Sequence, residues 1–254
     1  MKILKRGLLL SVVGIEFVIA YFVFIPRLLQ PPMLHPVISE AIAFAPILRF
    51  DFPDASILRE WKEYLFRQKT MYTIQTDTDG SHFLDAHSRD AGSAIYQQAD
   101  ISMAHRPFLV WEWRAPKFPS GKSNARFSAK GESDYAARVY VVFHSRIPLF
   151  ADMIQYIWDD HFPPGTRGQS ASARNIKMLV VKTGPAANAN EWILERRDLV
   201  KDYELLFGKP PHADIVAVGV MSDSDDTHTE SEIQVRTLGF EKPLMEGVKS
   251  KEPA

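Results

Sequence analysis

The stretch Asp134-Tyr135-Ala136-Ala137-Arg138-Val139-Tyr140-Val141-Val142-Phe143 decides how the chain folds. Its alternate residues Tyr135, Ala137, Val139, Val141 and Phe143 are all apolar, while the set between them, Asp134, Ala136, Arg138, Tyr140 and Val142, mixes two charges and a phenol with small side chains. A period of two is the signature of a β-strand, whose side chains alternate between faces. Sliding the register by one residue would turn Asp134 and Arg138 into the core, where unpaired charges cost several kcal/mol. The stretch is therefore expected to be a central strand with one core face and one working face, the latter forming the floor of a binding cleft.

Asp134 and Arg138 lie four residues apart, roughly 13 Å along a strand, so they cannot pair with each other. Each needs a partner on a neighbouring strand, for which Asp223, Glu112, Glu195 and Arg196 are candidates. In the run from Ile215 to Asp223, Val216, Val218 and Val220 form one face; Ile215, Ala217, Gly219, Met221 and Asp223 form the other, small at its middle. Glycine inside a strand often marks close approach of another backbone or a ligand. If this second face continues the one bearing Ala136, Arg138 and Tyr140, the shared surface is hollow at its centre. The candidate ligand-binding residues are Asp134, Arg138, Tyr140, Trp158, Arg196, Asp223 and Asp225. Aspartates there would bond hydroxyls, Arg138 and Arg196 would anchor a polar or anionic group, and Tyr140 and Trp158 would stack on a sugar. The alternative for the same residues is an ion-pair ladder on a solvated face.

Composition narrows the field. The 254 residues are 46% hydrophobic and 24% charged, an ordinary globular balance that fits one large domain with accessory segments. A formal net charge of -1 gives no basic footprint, so nucleic acid is not an expected partner. Cysteine is absent, which excludes disulfides, thiolate zinc sites, cysteine nucleophiles and a lipid-modified N-terminal cysteine.

Lys2, Lys5 and Arg6 form a basic tip over residues 1–6, ahead of an apolar run over residues 7–25 interrupted by Ser11, Glu16 and the polar end of Tyr21. Nineteen residues just suffice to span a bilayer as a helix. Thirteen of them are Leu, Val, Ile or Phe. At roughly -0.3 to -0.6 kcal/mol each, these outweigh about +3 kcal/mol for Glu16. Glu16 is then expected to be protonated or to face a partner helix. The cationic residues precede the span, so the expected topology is a single-pass signal anchor with the N-terminus in the cytoplasm and the bulk of the chain outside. The competing expectation is a cleaved signal peptide and secretion, but Ala20 is followed by Tyr, Phe, Val and Phe, a poor cleavage site.

Pro26, Pro31, Pro32 and Pro36 mark residues 26–48 as a stiff spacer, whose apolar part over 37–48, with Pro46 inside it, would rest on the membrane or cover an edge of the domain. From residue 49 to 241 short alternating runs dominate, at 71–76, 82–86, 93–101, 108–114, 135–143, 153–158, 177–182, 192–196, 214–221 and 232–240. Turn chemistry such as Asp79-Gly80 and Pro163-Pro164-Gly165 separates them. This predicts an all-β antiparallel sandwich. One helix is predicted, with Asp198 as N-cap, an apolar stripe of Leu199, Val200, Tyr203, Leu206 and Phe207, and Gly208 as left-handed cap; it would plug one open end of the sandwich. Residues 242–254 are expected to be a disordered tail.

Several signatures fail. Gly121-Lys122-Ser123 ends like a phosphate loop, but its first glycine would fall at Pro116. Gly168-Gln-Ser170-Ala-Ser172 lacks the second glycine of a nucleophile elbow. The histidines are scattered, and no metal or other cofactor is expected. Asp223-Ser224-Asp225-Asp226 begins like a calcium loop, but His228 and Gln234 break the spacing, so these aspartates are expected to cap turns. Trp111 and Trp113 are expected in the core, and Trp158, beside Asp159, Asp160 and His161, at a rim. A hydrolase would need Glu195 and Asp134 within about 5 to 9.5 Å across a cleft. A third possibility is a protein-interaction module of the cell envelope.

The segments Trp111-Glu-Trp113, Asp134-Tyr-Ala-Ala-Arg-Val-Tyr140, Tyr156-Ile-Trp158, Glu195-Arg-Arg-Asp198, Asp202-Tyr203, Phe207-Gly208 with Pro210-Pro211, and Met221-Ser-Asp-Ser-Asp225 together resemble domain-of-unknown-function family 3047. The likeness runs from Phe50 to Phe240, with Ser133-Asp134 in place of the family's aspartate pair. It implies a jelly-roll similar to carbohydrate-binding modules and carries no activity with it. Together with the resemblance to this bacterial family, the expectation is a module anchored in the inner membrane, with the bulk of the chain in the periplasm, that binds a glycan or envelope polymer.

Overall fold

The computed structural model describes residues 43–122, 126–129, 131, 133–171, 173–186 and 190–244. The expected anchor at 7–25, the spacer up to residue 42 and the tail beyond residue 244 lie outside the described residues. The elements in order are β1 (Phe44–Phe50), β2 (Lys62–Leu65), β3 (Met71–Thr76), β4 (His82–Arg89), β5 (Gly92–Ile101), β6 (Phe108–Lys117), β7 (Ala137–Phe143), β8 (Met153–Asp159), β9 (Arg167–Gln169), β10 (Ile176–Thr183), β11 (Ile193–Asp198), α1 (Leu199–Phe207), β12 (Ile215–Asp223) and β13 (Glu230–Pro243).

These strands form two sheets. The six-stranded sheet runs β11-β6-β13-β4-β3, with β1 pairing the second half of β13 beyond the part taken by β4. The seven-stranded sheet runs β2-β5-β12-β7-β8-β10-β9 and is antiparallel except where β8 and β10 lie parallel. The deciding stretch is thus the middle strand of its sheet, and every residue of β7 is buried. All ten predicted runs are strands, and α1 has the predicted ends. Asp198 accepts hydrogen bonds from the N–H groups of Val200 and Lys201, each at 3.1 Å, and Gly208 takes φ 68°. Sequence inspection passed over β1, β2 and β9. β1 begins at Phe44, inside the segment expected to be spacer, and resolves the choice offered for that segment by pairing along β13.

The inner faces of both sheets interlock through aromatic rings. Trp111 lies 5.2 Å from Tyr156 and Trp113 lies 5.4 Å from Trp158, centroid to centroid, and all four are buried. Burying such a side chain is worth about 1.5 to 3 kcal/mol, so each ring of this row adds to the cohesion between the layers. It also corrects the expectation that Trp158 stands at a rim. Its ring is fully buried and its Nε1–H donates to the Gly184 carbonyl at 2.8 Å, so it offers no face to a ligand.

The opposite face of β7 is packed as well. Tyr140, Val142, Ala217 and Met221 form a second apolar cluster with Ala94, Tyr96, Ala151, Met153, Ala173 and Ile176, against which Tyr64 and Phe66 also pack. The expected hollow over Gly219 is filled by Tyr140, whose ring would be 2.4 Å from any Cβ built there. Tyr140 therefore closes the space that it was expected to line.

Candidate functional site

At the far end of β7 the chain builds a polar knot. Arg138 reaches across to β12, where its Nη2 donates to Asp223 Oδ2, and the same nitrogen donates to the Ser133 carbonyl. The Tyr135 N–H donates to Asp223 Oδ1 at 3.3 Å. Asp134 accepts from the Asp226 N–H at 3.2 Å, the Thr227 N–H at 2.7 Å and the Thr227 hydroxyl at 2.6 Å. Asp226 returns the favour, accepting from the N–H and hydroxyl of Ser133 at 2.9 and 2.8 Å. Asp134, Arg138 and Asp223 are all buried, so the knot fastens the entry of β7 to the loop after β12.

Of the four candidate partners that the sequence offers for Asp134 and Arg138, Asp223 is the one that Arg138 meets. Asp134, Asp223 and Asp225 also converge, with one oxygen of each within 4.8 Å of the others. Carboxylate oxygens are hard donors of the kind calcium and magnesium take. Burial pushes both Asp223 and Asp225 above the usual carboxylate range, against the pull of Arg138. Nearby Asp134 adds to the rise at both.

The other expected site residues lie elsewhere. Arg196 sits on β11 of the six-stranded sheet, pairs with Glu241 at 3.1 Å and covers the ring of Phe44 at 4.7 Å. Glu195 stands opposite Trp111 on the same edge strand, and the charges acting on it are those of Arg197 and Lys182. Burial pushes its carboxyl up to about 7. Asp134 is bound into the knot on the other sheet, with no exposed surface. The carboxylate pair of a glycosidase is not assembled from these two residues.

A solvated working face does exist, on the outside of the six-stranded sheet. There β13 turns Glu230, Glu232, Gln234 and Arg236 outward between the buried Ser231, Ile233 and Val235. Gln234 accepts from Arg114 Nε and donates to Asp85 at 2.8 Å and to Glu232 at 3.0 Å. Arg236 grips Glu112 through two bonds of 2.9 and 3.1 Å. Trp192 lies over this row, its centroid 4.4 Å from the Arg114 guanidinium and 4.7 Å from that of Arg236. Asp77 accepts from both the Trp192 Nε1–H at 2.8 Å and Arg114 Nη1 at 3.1 Å. Burial and the adjoining Asp85 carboxylate push Glu232 up. The row runs into a cleft of about 490 Å³ lined by Arg89, Lys117, Phe118, His228 and Glu230. Sequence reasoning missed this face, although the alternation of Glu230, Glu232, Gln234 and Arg236 along one strand was its visible signal.

Several solved structures are similar to this chain. The family 11 carbohydrate-binding module of the cellulosomal cellulase Lic26A-Cel5E of Clostridium thermocellum shares 8% identity at a TM-score of 0.43, covering 82% of this chain and 99% of the module. The native family 12 xyloglucanase from Bacillus licheniformis shares 8% identity at a TM-score of 0.38, covering 79% of this chain and 99% of that one. The endoglucanase Cel12A from Rhodothermus marinus shares 9% at a TM-score of 0.36, covering 81% of this chain and all of that one, 100%. No curated protein matches the chain. Residues 59–238, which hold the knot, the outer polar row and every strand except β1 and the end of β13, match the protein family of unknown function DUF3047, and the chain belongs to that family.

Proposed function

We propose that the chain is a membrane-tethered, periplasmic binding module of jelly-roll type that takes a glycan or envelope polymer on the outer face of its six-stranded sheet. The observation that carries this is the pair Glu112 and Arg236 and the row Arg114, Gln234, Asp85 and Glu232, each held in place by its own hydrogen bonds beneath the partly exposed ring of Trp192. A sugar needs both parts. An aromatic ring covers its apolar C–H face, and planar carboxylate, amide and guanidinium groups bond its hydroxyls. Because the row is already ordered, little side-chain entropy is lost when it binds. The proposed tether is the apolar run over residues 7–25, preceded by Lys2, Lys5 and Arg6.

The test is binding of the full chain to a glycan array and to isolated cell-wall fractions, beside Trp192→Ala and Gln234→Ala. The expected result is selective retention of one glycan class, lost at least tenfold in both variants while their circular dichroism is unchanged. Equal binding by wild type and both variants overturns the assignment of this face.

A further inference from the structure

We infer that the turn Ile147-Pro148-Leu149-Phe150 is a lipid-contacting tip that seats one end of the sandwich on an anionic bilayer surface. This rests on the tether proposed above. The turn connects β7 to β8 and leaves Ile147, Leu149 and Phe150 exposed by 55%, 41% and 61%. Three large exposed apolar side chains within four residues are unusual, and such patches mark contact surfaces.

The exposure is built in. Phe150 N–H donates to the Ile147 carbonyl at 2.9 Å, and Ser145 Oγ donates to the same carbonyl at 2.9 Å. Asn175 Nδ2 donates to the Ala151 carbonyl at 2.6 Å. With its backbone pinned in this way, the turn cannot fold its side chains back against the sheet.

Its position selects the occupant. The tip lies at the end of the sandwich where Phe143 pairs with Ile215 and His144 N–H donates to the Asp214 carbonyl. Asp214 also binds Met103 N–H at 2.8 Å, just ahead of β6. At that same end Phe44, which opens β1, packs edge-on against Phe108 at 4.9 Å, and Leu244 N–H donates to the Ala43 carbonyl. The described chain therefore enters where the tip projects. Seventeen residues, 26–42, separate this entry from the apolar run. They reach at most about 60 Å when fully extended, and this is the end from which they lead to the bilayer. Arg146 directly precedes the tip, Arg174 directly precedes Asn175, and both are exposed. Among the described residues neither has a carboxylate partner, which leaves both for anionic headgroups.

The chain has no cysteine, so Leu149→Cys and Met71→Cys each provide a single site for an environment-sensitive fluorophore. Met71 is 56% exposed at the opposite end, next to Thr70, whose N–H donates to Ser93 Oγ. Each labelled full chain is mixed with vesicles of phosphatidylglycerol and phosphatidylethanolamine and floated on a gradient. Flotation of both, with a blue-shifted emission at position 149 alone, is the expected result, and Phe150→Ser with Ile147→Ser should reduce that shift. Flotation with solvent-like emission at 149 overturns the tip and leaves the tether standing. Failure to float overturns both.

Discussion

The phenol of Tyr140 rests on the bare α-carbon of Gly219, its directly paired neighbour on the adjoining strand, with Cζ 2.4 Å from where a Cβ would stand. The glycine is required by a ring, and no ligand needs the space. Gly219→Ala forces Tyr140 out of a close-packed cluster and should lower stability by about 1 to 3 kcal/mol, read from urea unfolding. Tyr140→Phe should be neutral or slightly stabilising, because among the described residues the buried hydroxyl has no hydrogen-bond partner to lose. A large loss in Tyr140→Phe would show that the hydroxyl has a role.

Arg138 and Asp223 form a second cross-strand relationship, in which each buried charge depends on the other. Removing one partner leaves the other uncompensated, which typically costs about 3 to 5 kcal/mol. Arg138→Met and Asp223→Ala should each lose on that order. The double variant should lose much less than their sum, because it abolishes both charges. Additive losses in a double-mutant cycle would show that the two act independently.

The distribution of these roles explains what the sequence could and could not disclose. Strands such as β3, β10 and β13 announce themselves through alternation, and α1 through Asp198 and Gly208 at its ends. By contrast, β9 is only three residues long, β2 is mostly exposed, and β1 carries Pro46 at a shift in its pairing register. Alternation in β7 showed correctly that Arg138 and Tyr140 share a face. It could not show that Tyr64 and Phe66, some seventy residues earlier, help to cover that face. A polar residue beneath such a cover and one facing water leave the same local pattern. The outer row of the six-stranded sheet escaped notice for a related reason. Gln234 meets Arg114 and Asp85 only through the register of β13 with β6 and β4, which no single strand contains.

Asp198 supplies two of the bonds that the first turn of α1 cannot make for itself. Asp198→Ala should cost about 1 kcal/mol, and Asp198→Asn much less, since an amide oxygen also caps well. Amide hydrogen exchange at Val200 and Lys201 should speed up in the alanine variant before the core strands respond. Unchanged exchange at both positions would show that packing of Leu199 and Tyr203 holds the helix start without the cap.

Glu195 makes the stability of the fold depend on pH in a direction opposite to that of most carboxylates. Burial pushes its carboxyl from an ordinary value of 4.5 up to about 7, and Arg197 and Lys182 only partly oppose the rise. The folded chain therefore holds a proton that the unfolded chain has released, and stability from this group falls as pH rises between those values. Glu195→Gln keeps the shape and removes the ionisation. Wild type and variant should unfold at similar urea concentrations near pH 4, and the variant should become the more stable of the two by pH 8. A gap that stays constant from pH 4 to pH 8 would mean that Glu195 ionises as freely in the folded chain as in the unfolded one, with its environment on β11 open to water.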